Sequence, residues 1–309
     1  MSSLRPTLFM LISTFTLAMN GFISKILTDY FSTEIMVFLR ISLPAVVMLS
    51  LAAMIDWRMP TKAAWKTFAT RGVFIVCCQA CFLVALTQLT LIEAVVLFST
   101  GPLFIPLIER VIFKTRIHWI VWPTFILMFT GMIIQNIQAD GFVWRPALLI
   151  GLGAGVFNAC SQVTLFRASQ IKLPVLVING WCFAIASLIL LPVVTGLMDD
   201  EKAITTLHSL SNTEHYIPIF IIFLGISTTL TQFFRSKAYR LANSNSEVAP
   251  LIYTNLVFAL MFQVIFFDSH MTVHQILGTT LIVLATLMNT FGRGWLQSWQ
   301  ARKTVAVHH

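Results

Sequence analysis

Two stretches decide the reading of this chain: Glu93 to Phe113, EAVVLFSTGPLFIPLIERVIF, and Glu247 to Phe267, EVAPLIYTNLVFALMFQVIFF. They align without gaps. Each opens on a glutamate and carries prolines or small polar residues inside an otherwise apolar run. Each then passes a short polar break into a second apolar stretch, His118 to Gln135 in one case and Thr272 to Asn289 in the other. A helix needs about 20 such residues to cross the hydrocarbon core of a bilayer. The pair therefore reads as two consecutive membrane spans, present twice.

Working outward from this pair, apolar runs bounded by charge and by Pro, Gly or Asn clusters give ten spans. They lie near 7–27, 33–55, 72–89, 92–113, 117–137, 146–169, 173–195, 216–239, 246–267 and 273–292. The fold class is all-α integral membrane, with ten transmembrane helices as two inverted five-helix repeats. The first repeat covers 1–140 and the second 141–295, and a short cytoplasmic tail covers 296–309. Parity carries the inversion: a repeat of five spans, an odd number, must place its second copy upside down. Inverted repeats with a site between them near the midplane are a transporter architecture, because rocking one half against the other gives alternating access.

Composition agrees. Hydrophobic residues make up 57% of the chain and charged residues 10%, and the mean hydropathy is +0.84. A soluble domain is about a quarter charged. The formal charge of +8 raises the question of a nucleic-acid partner, but the distribution of the basic residues answers it. Sixteen of the 20 Lys and Arg residues fall on one alternating set of loops and ends. That set includes Arg58, Lys62, Lys66 and Arg71 after span 2, and Arg235, Lys237 and Arg240 at the end of span 8. Cytoplasmic loops carry this excess, so both termini are expected in the cytoplasm, the membrane is the cytoplasmic (inner) one, and no nucleic-acid partner is expected. Cys77, Cys78, Cys81, Cys160 and Cys182 lie inside apolar runs without histidines at ligand spacing and read as buried thiols. The first apolar run lacks a cleavage pattern and reads as the first span.

The residues Ala238-Tyr239-Arg240, the run Glu247-Val248-Ala249-Pro250-Leu251-Ile252-Tyr253 and the Gly278-to-Leu284 stretch GTTLIVL carry a further likeness. So do Phe38-Leu39-Arg40, Ala85-Leu86 and Gly101-Pro102-Leu103-Phe104 in the first half. On these motifs the chain resembles the drug/metabolite transporter superfamily, in its ten-helix branch with two EamA-type repeats. It departs from that pattern after spans 4 and 9, where a Gly-Glu pair is replaced by Phe113-Lys114 and Phe267-Asp268. The resemblance implies a metabolite transporter. Its members move cargo as different as amino acids, riboflavin and S-adenosylmethionine, so it names no substrate.

Polar side chains inside a bilayer are expensive and invite functional readings. Arg40, about two turns into span 2, is a candidate cation for a substrate carboxylate or phosphate; a pairing with Glu34 or snorkelling is the plain alternative. Lys25 and Asn20 on span 1 are candidates beside it. Asn158 and Gln162, spaced i, i+4 on span 6, share a face, next to a tight packing surface at Gly151, Gly153, Gly155 and Ala159. Gln79, Gln232, Trp181, Tyr253 and Asn255 complete the expected substrate-binding set. Pro102 and Pro106 in span 4, and Pro250 in span 9, are expected helix breaks near the site, since a proline removes a backbone donor. Glu93 and Glu247 read mainly as helix N-terminal acids, with Asn243 to Ser246 as a capping segment. His270 and His274 read as an exposed turn rather than a metal pair. No catalytic residue, metal or cofactor is expected.

The function class that follows is secondary transport of a small polar or anionic metabolite by alternating access, with export of an amino-acid-like metabolite as the leading form. Uptake of a vitamin or nucleoside-type cofactor would use the same fold. A membrane enzyme would need a nucleophile-base pair or metal ligands at helix depth, and neither is found. A receptor or assembly scaffold would be expected to carry a long interaction segment. No Asp or Glu stands in the middle of a span, which favours exchange or potential-driven movement over a carboxylate proton relay. The partners expected are a small-molecule substrate and the lipid bilayer. Two halves in one chain make a complete pathway as a monomer, with a homodimer as the alternative.

Overall fold

The computed structural model describes residues 4–113, 119, 121–135, 137–138, 141–142, 145–169, 171–197, 217–241, 251–252, 254–266, 272–274, 276–285 and 287–288. These residues form helices, apart from a two-residue antiparallel pairing of Ile137–Gln138 with Gly141–Phe142. In chain order the helices are α1 (Leu4–Leu27), α2 (Thr33–Ile55), α3 (Lys62–Gln88), α4 (Leu91–Phe98), α5 (Gly101–Phe113) and α6 (Val121–Gln135). They continue with α7 (Pro146–Ser169), α8 (Val175–Leu197), α9 (Ile217–Leu241), α10 (Thr254–Phe266) and α11 (Ile276–Ala285). Among the described residues, six helices are long and apolar enough to cross a membrane, and four stretches form shorter apolar helices.

Two differences from the sequence reading matter for the site. First, α3 starts at Lys62 behind Thr61, ten residues before the span expected at 72, because hydropathy sees only where the apolar run begins. Second, the span expected over 92–113 is broken into α4 and α5 at Ser99-Thr100. The chemistry of the break is local. Pro102 has no N–H for the carbonyl of Phe98. The Thr100 hydroxyl donates to the Leu97 carbonyl at 2.6 Å. Pro102 then sits in the first turn of α5, where a missing donor is harmless. The start of α4 is fixed by a capping box, in which the Glu93 backbone N–H donates to Thr90 Oγ1 at 3.3 Å and Thr90 N–H donates to Glu93 Oε2 at 3.0 Å.

Packing runs across the two halves of the chain: α1 on α9 and α10, α2 on α8 and α9, α3 on α7 and α8, α4 and α5 on α7, and α4 on α10. Gly131 on α6 meets α11 so closely that a Cβ there would lie 2.7 Å from the Gly278 carbonyl. The exterior is apolar, with Leu188 67% and Val264 74% exposed, whereas Thr14, Ser24, Glu93 and Thr124 are wholly buried. That inside-out distribution is what a lipid solvent requires.

Many interior hydroxyls and amides join helices to one another. On α1, Ser13 donates to the Thr231 carbonyl at 2.9 Å, and Thr16 Oγ1 lies 2.8 Å from Thr231 Oγ1. Asn20 Nδ2 donates to Leu224 O (3.2 Å), Ser227 Oγ (3.0 Å) and Thr228 Oγ1 (2.6 Å). This ladder at i, i+3 and i+7 zips α1 to α9.

Candidate functional site

A narrow cavity of about 50 Å³, room for a few water molecules, lies between helices of both halves of the chain. Its long wall is one face of α3: Arg71, Ile75, Cys78, Gln79 and Phe82, spaced at helical period so that all five point the same way. Helix α7 contributes Asn158, Ser161 and Gln162. The remaining wall includes Arg40 from α2, Gln232 from α9, Asn255 from α10, and Phe98 and Phe183. Both halves of the sequence therefore face the same space.

The local sequence explains how the helices hold these groups. Asn158 is positioned by the tightest crossing in the bundle. A Cβ on Gly155 would fall 2.5 Å from Thr100 Oγ1 and 2.6 Å from the Leu97 carbonyl, and one on Gly101 would lie 3.1 Å from the Gly155 carbonyl. The α4–α5 break thus nests against the glycines of α7. Gln162 Nε2 donates to Asn158 Oδ1 at 3.3 Å, and Tyr239 donates to Gln162 Oε1 at 3.2 Å. Arg40 lies one turn before Pro44, which has no N–H for the Arg40 carbonyl.

The charges are the unusual part. Arg40, Arg71 and Arg235 are 4%, 1% and 3% exposed. Arg40 Nη1 donates to Ser24 Oγ at 2.8 Å, and its guanidinium carbon lies 5.1 Å from the centre of the Phe82 ring. Arg71 Nη1 donates to Asn179 Oδ1 at 2.8 Å and Nη2 to Gln232 Oε1 at 3.0 Å. Arg235 stands three residues after Gln232 on α9, and its Nε and Nη2 have no hydrogen-bond partner. The Nε atoms of Arg40 and Arg71 and the Oδ1 of Asn255 are likewise without partners. Among the described residues none of the three arginines pairs with a carboxylate, and the buried Glu93 is held by Arg145 at 3.1 Å instead. Three buried cations facing only neutral partners leave a strongly positive interior.

The expected site residues divide accordingly. Arg40, Gln79, Asn158, Gln162, Gln232 and Asn255 lie on the cavity wall. Asn20 does not; it belongs to the α1–α9 ladder. Lys25 is turned to the end of α3, donating to the carbonyls of Leu86 and Leu89 at 2.7 and 2.9 Å, so it caps that helix. Trp181 packs against Trp65 and Trp57, with ring centres 4.8 and 6.1 Å apart. Pro102 and Pro106 lie in α5, directly after the helix break. Tyr253, Pro250, Glu247, the Asn243 to Ser246 cap and His270 fall outside the described residues. His274 is exposed.

Sequence reasoning missed Arg71 and Arg235, which were counted as cytoplasmic loop charges. Arg71 sits nine residues into α3 rather than before it, and Arg235 lies well inside α9. The signal for Arg235 was present, since it falls within the run 216–239 assigned as a span. Asn179, which bridges Arg71 and Ser236 (Nδ2 to Oγ, 2.9 Å), carried no signal beyond its place in an apolar run.

The six long apolar helices and the apolar exterior are those of a multi-pass membrane protein. The model of the EamA-like transporter family matches residues 4–137 and again 145–291, and the chain belongs to that family. Two relatives from Helicobacter pylori, strains J99 / ATCC 700824 and ATCC 700392 / 26695, are each described as "Uncharacterized transporter" and are 24% identical over 272 residues. The match covers 87% of this chain and 89% of each relative. A solved crystal structure superposes with a TM-score of 0.55 over 96% of this chain and 98% of its own at 16% identity, a likeness of fold alone.

Proposed function

We propose that the protein is a secondary transporter of a small anionic metabolite, working by alternating access across the cytoplasmic membrane. One observation carries the reading: a central cavity, walled by both halves of the chain, holds Arg40 and Arg71 on its surface and Arg235 beside it without a carboxylate partner. An anion entering that space supplies the missing charge and the acceptors that the free N–H groups lack.

The ten-span, two-repeat plan is part of the same proposal. Exchange each helix for its counterpart five spans on, so that α1 replaces α7, α2 replaces α8, α3 replaces α9, α4 and α5 replace α10, and α6 replaces α11. The α3–α7 packing then becomes α9–α1, α3–α8 becomes α9–α2, and α7 on α4 and α5 becomes α1 on α10. The α2–α8, α4–α10 and α6–α11 packings map onto themselves. A contact set that survives this exchange supports two inverted halves, with domains over 1–140 and 141–295. Removing Arg71 and Arg235 from the sixteen basic residues of the cytoplasmic set leaves fourteen, against Lys25, Arg145 and Lys202 outside, so cytoplasmic termini remain the favoured orientation. Gradients set the direction of transport; export of an acidic amino-acid-like metabolite is the form closest to the site's chemistry.

The test is the melting temperature of the purified protein in detergent against amino acids, organic acids, phosphorylated metabolites, nucleosides and cationic drugs, with Arg40→Gln in parallel. A ligand bound only by the folded state adds about 2.7 kcal/mol at a hundredfold excess over Kd. Stabilisation by anions, lost in Arg40→Gln while that variant alone melts normally, is expected. Stabilisation by cations or neutral nucleosides alone would overturn the reading.

A further inference from the structure

The cavity is charged at both ends, and the ends are far apart. Its α3 wall runs from Arg71 to Phe82, eleven residues, or about 16 Å along the axis at about 1.5 Å per residue. At the Phe82 end stands the Arg40 guanidinium, 5.1 Å from that ring and anchored to α1 through Ser24. At the other end Arg71 is tied to α8 and α9 through Asn179 and Gln232, with Arg235 one turn further along α9. Between the two poles the α3 wall carries only neutral groups, with Gln79 its polar one, and α7 adds Asn158, Ser161 and Gln162 to the cavity lining.

A single carboxylate or phosphate reaches one pole and leaves the other uncompensated in a buried space. The geometry points to a bipolar dianion as the substrate: a small molecule with an anionic group at each end of a neutral spacer, one group forked by Arg40 and the other by Arg71. This rests on the anion-transporter reading above and narrows it. An anionic group bound bidentately keeps its central atom about 4 Å from the guanidinium carbon. Taking the rise of the α3 wall, about 16 Å, as the distance between the poles and subtracting one such distance at each end leaves about 8 Å between the two groups of the ligand. With carbon–carbon bonds of about 1.5 Å in a zigzag chain, that is roughly a six- to eight-carbon dicarboxylate. The same charge spacing is offered by a phosphorylated carboxylate, so the acid at either pole can be carboxylate or phosphate.

The experiment measures binding to the full-length protein in detergent by isothermal titration. The probes are the linear dicarboxylates from succinate to sebacate, the matching monocarboxylates, and 6-phosphogluconate, whose carboxylate and phosphate stand at the required spacing, as the phosphate-containing arm. Exchange of the best binder is then followed in proteoliposomes. The dicarboxylate series is expected to show an optimum near six to eight carbons, with each monocarboxylate at least tenfold weaker than the dianion of equal length. Arg40→Gln and Arg71→Gln should each bring the optimal dianion down to the affinity of its monocarboxylate and flatten the length dependence. The length series in the unaltered protein needs no variant, so it decides even if one variant fails to fold; Arg40→Lys, which keeps the charge without the fork, should retain the optimum at reduced affinity. If 6-phosphogluconate outbinds the diacids, the poles favour phosphate. If monocarboxylates match dicarboxylates at every length, the bipolar site is wrong while anion transport stands. If no anion of either series binds, both readings fall.

Discussion

Replacing Arg40 by methionine should abolish ligand binding while leaving the protein about as stable as before. Methionine fills much the same space with a flexible apolar chain. What is lost is one charge-assisted hydrogen bond to Ser24 at 2.8 Å, worth about 1.5–3 kcal/mol, and a cation–π contact with Phe82 at 5.1 Å, about 2 kcal/mol when desolvated. Ser24 is not orphaned, because its hydroxyl also donates to the Asn20 carbonyl at 2.7 Å. What is gained is relief from burying an unpaired guanidinium, an effective penalty of several kcal/mol. The terms nearly cancel, and the net change should lie within about 2 kcal/mol of zero, a shift in melting temperature of only a few degrees. The assay is the detergent melting curve of Arg40→Met with and without the best anionic ligand. A variant that melts more than about 10 °C lower without ligand would show that Arg40 holds the bundle together, and the argument that its charge is kept for a substrate would collapse.

Two other perturbations probe the frame around the cavity. Helix α7 carries three glycines with graded room for a methyl group: the nearest atom to an added Cβ is Thr100 Oγ1 at 2.5 Å for Gly155, Leu97 Cδ1 at 2.7 Å for Gly151 and Cys81 Sγ at 3.7 Å for Gly153. Gly155 also faces the Leu97 backbone carbonyl at 2.6 Å, which cannot rotate away, so Gly155→Ala should lower the melting temperature most, Gly151→Ala less, and Gly153→Ala little or not at all; equal effects would refute the close α4–α7 crossing. At the start of α4, Arg145→Gln strands the buried Glu93 carboxylate, whereas Glu93→Gln leaves Arg145, with 17% of its side chain exposed, able to reach water. Arg145→Gln should therefore be the costlier single change, by about 1–3 kcal/mol, and a double-mutant cycle should return a coupling of at least about 1 kcal/mol; strictly additive effects would show that the pair carries no joint energy.

Hydropathy located the helices well because a span is defined by its solvent. The expected 33–55 and 146–169 coincide with α2 and α7, α6, α10 and α11 lie inside their expected runs, and α1, α8 and α9 overrun theirs by two or three residues, which leaves α3 and α4–α5 as the exceptions. Those two exceptions have one cause: a lipid-based reading reports where the apolar surface is, not where the backbone is helical. At α3 the helix continues outward through Lys62, Trp65 and Lys66, whose charges end the apolar run but not the hydrogen bonding. At Ser99-Thr100 the apolar run continues while the regular α-helical ladder gives way to three-residue bonds at Thr100 and Leu103, because Pro102 lacks a donor and the Thr100 hydroxyl occupies the Leu97 carbonyl. Arg71 was hidden by the first effect. Once the helix is known to begin at Lys62, Arg71 lies more than two turns inside it, as deep in α3 as Arg40 lies in α2.

The separation of wall residues from packing residues was beyond the sequence for a different reason. Asn20 and Asn158 are the same amino acid at similar depth, and hydropathy prices them alike. What distinguishes them is the facing helix: Asn20 meets Ser227 and Thr228, small hydroxyls that accept its amide and close the gap, whereas Asn158 meets Gly101, which has no side chain to fill the space, and also lies on the cavity wall. The Asn20 Nδ2 finds all its acceptors within the protein, although its Oδ1 has no partner. An arginine opposite only amides and a serine cannot balance its charge there. Among the described spans the bundle answers every other buried ionised group, with Arg145 for Glu93 and helix-end carbonyls for Lys25. That it leaves Arg40 and Arg71 unanswered on a cavity walled by both halves, with Arg235 unanswered beside it, is the physical reason to look for the counter-charge in the cargo.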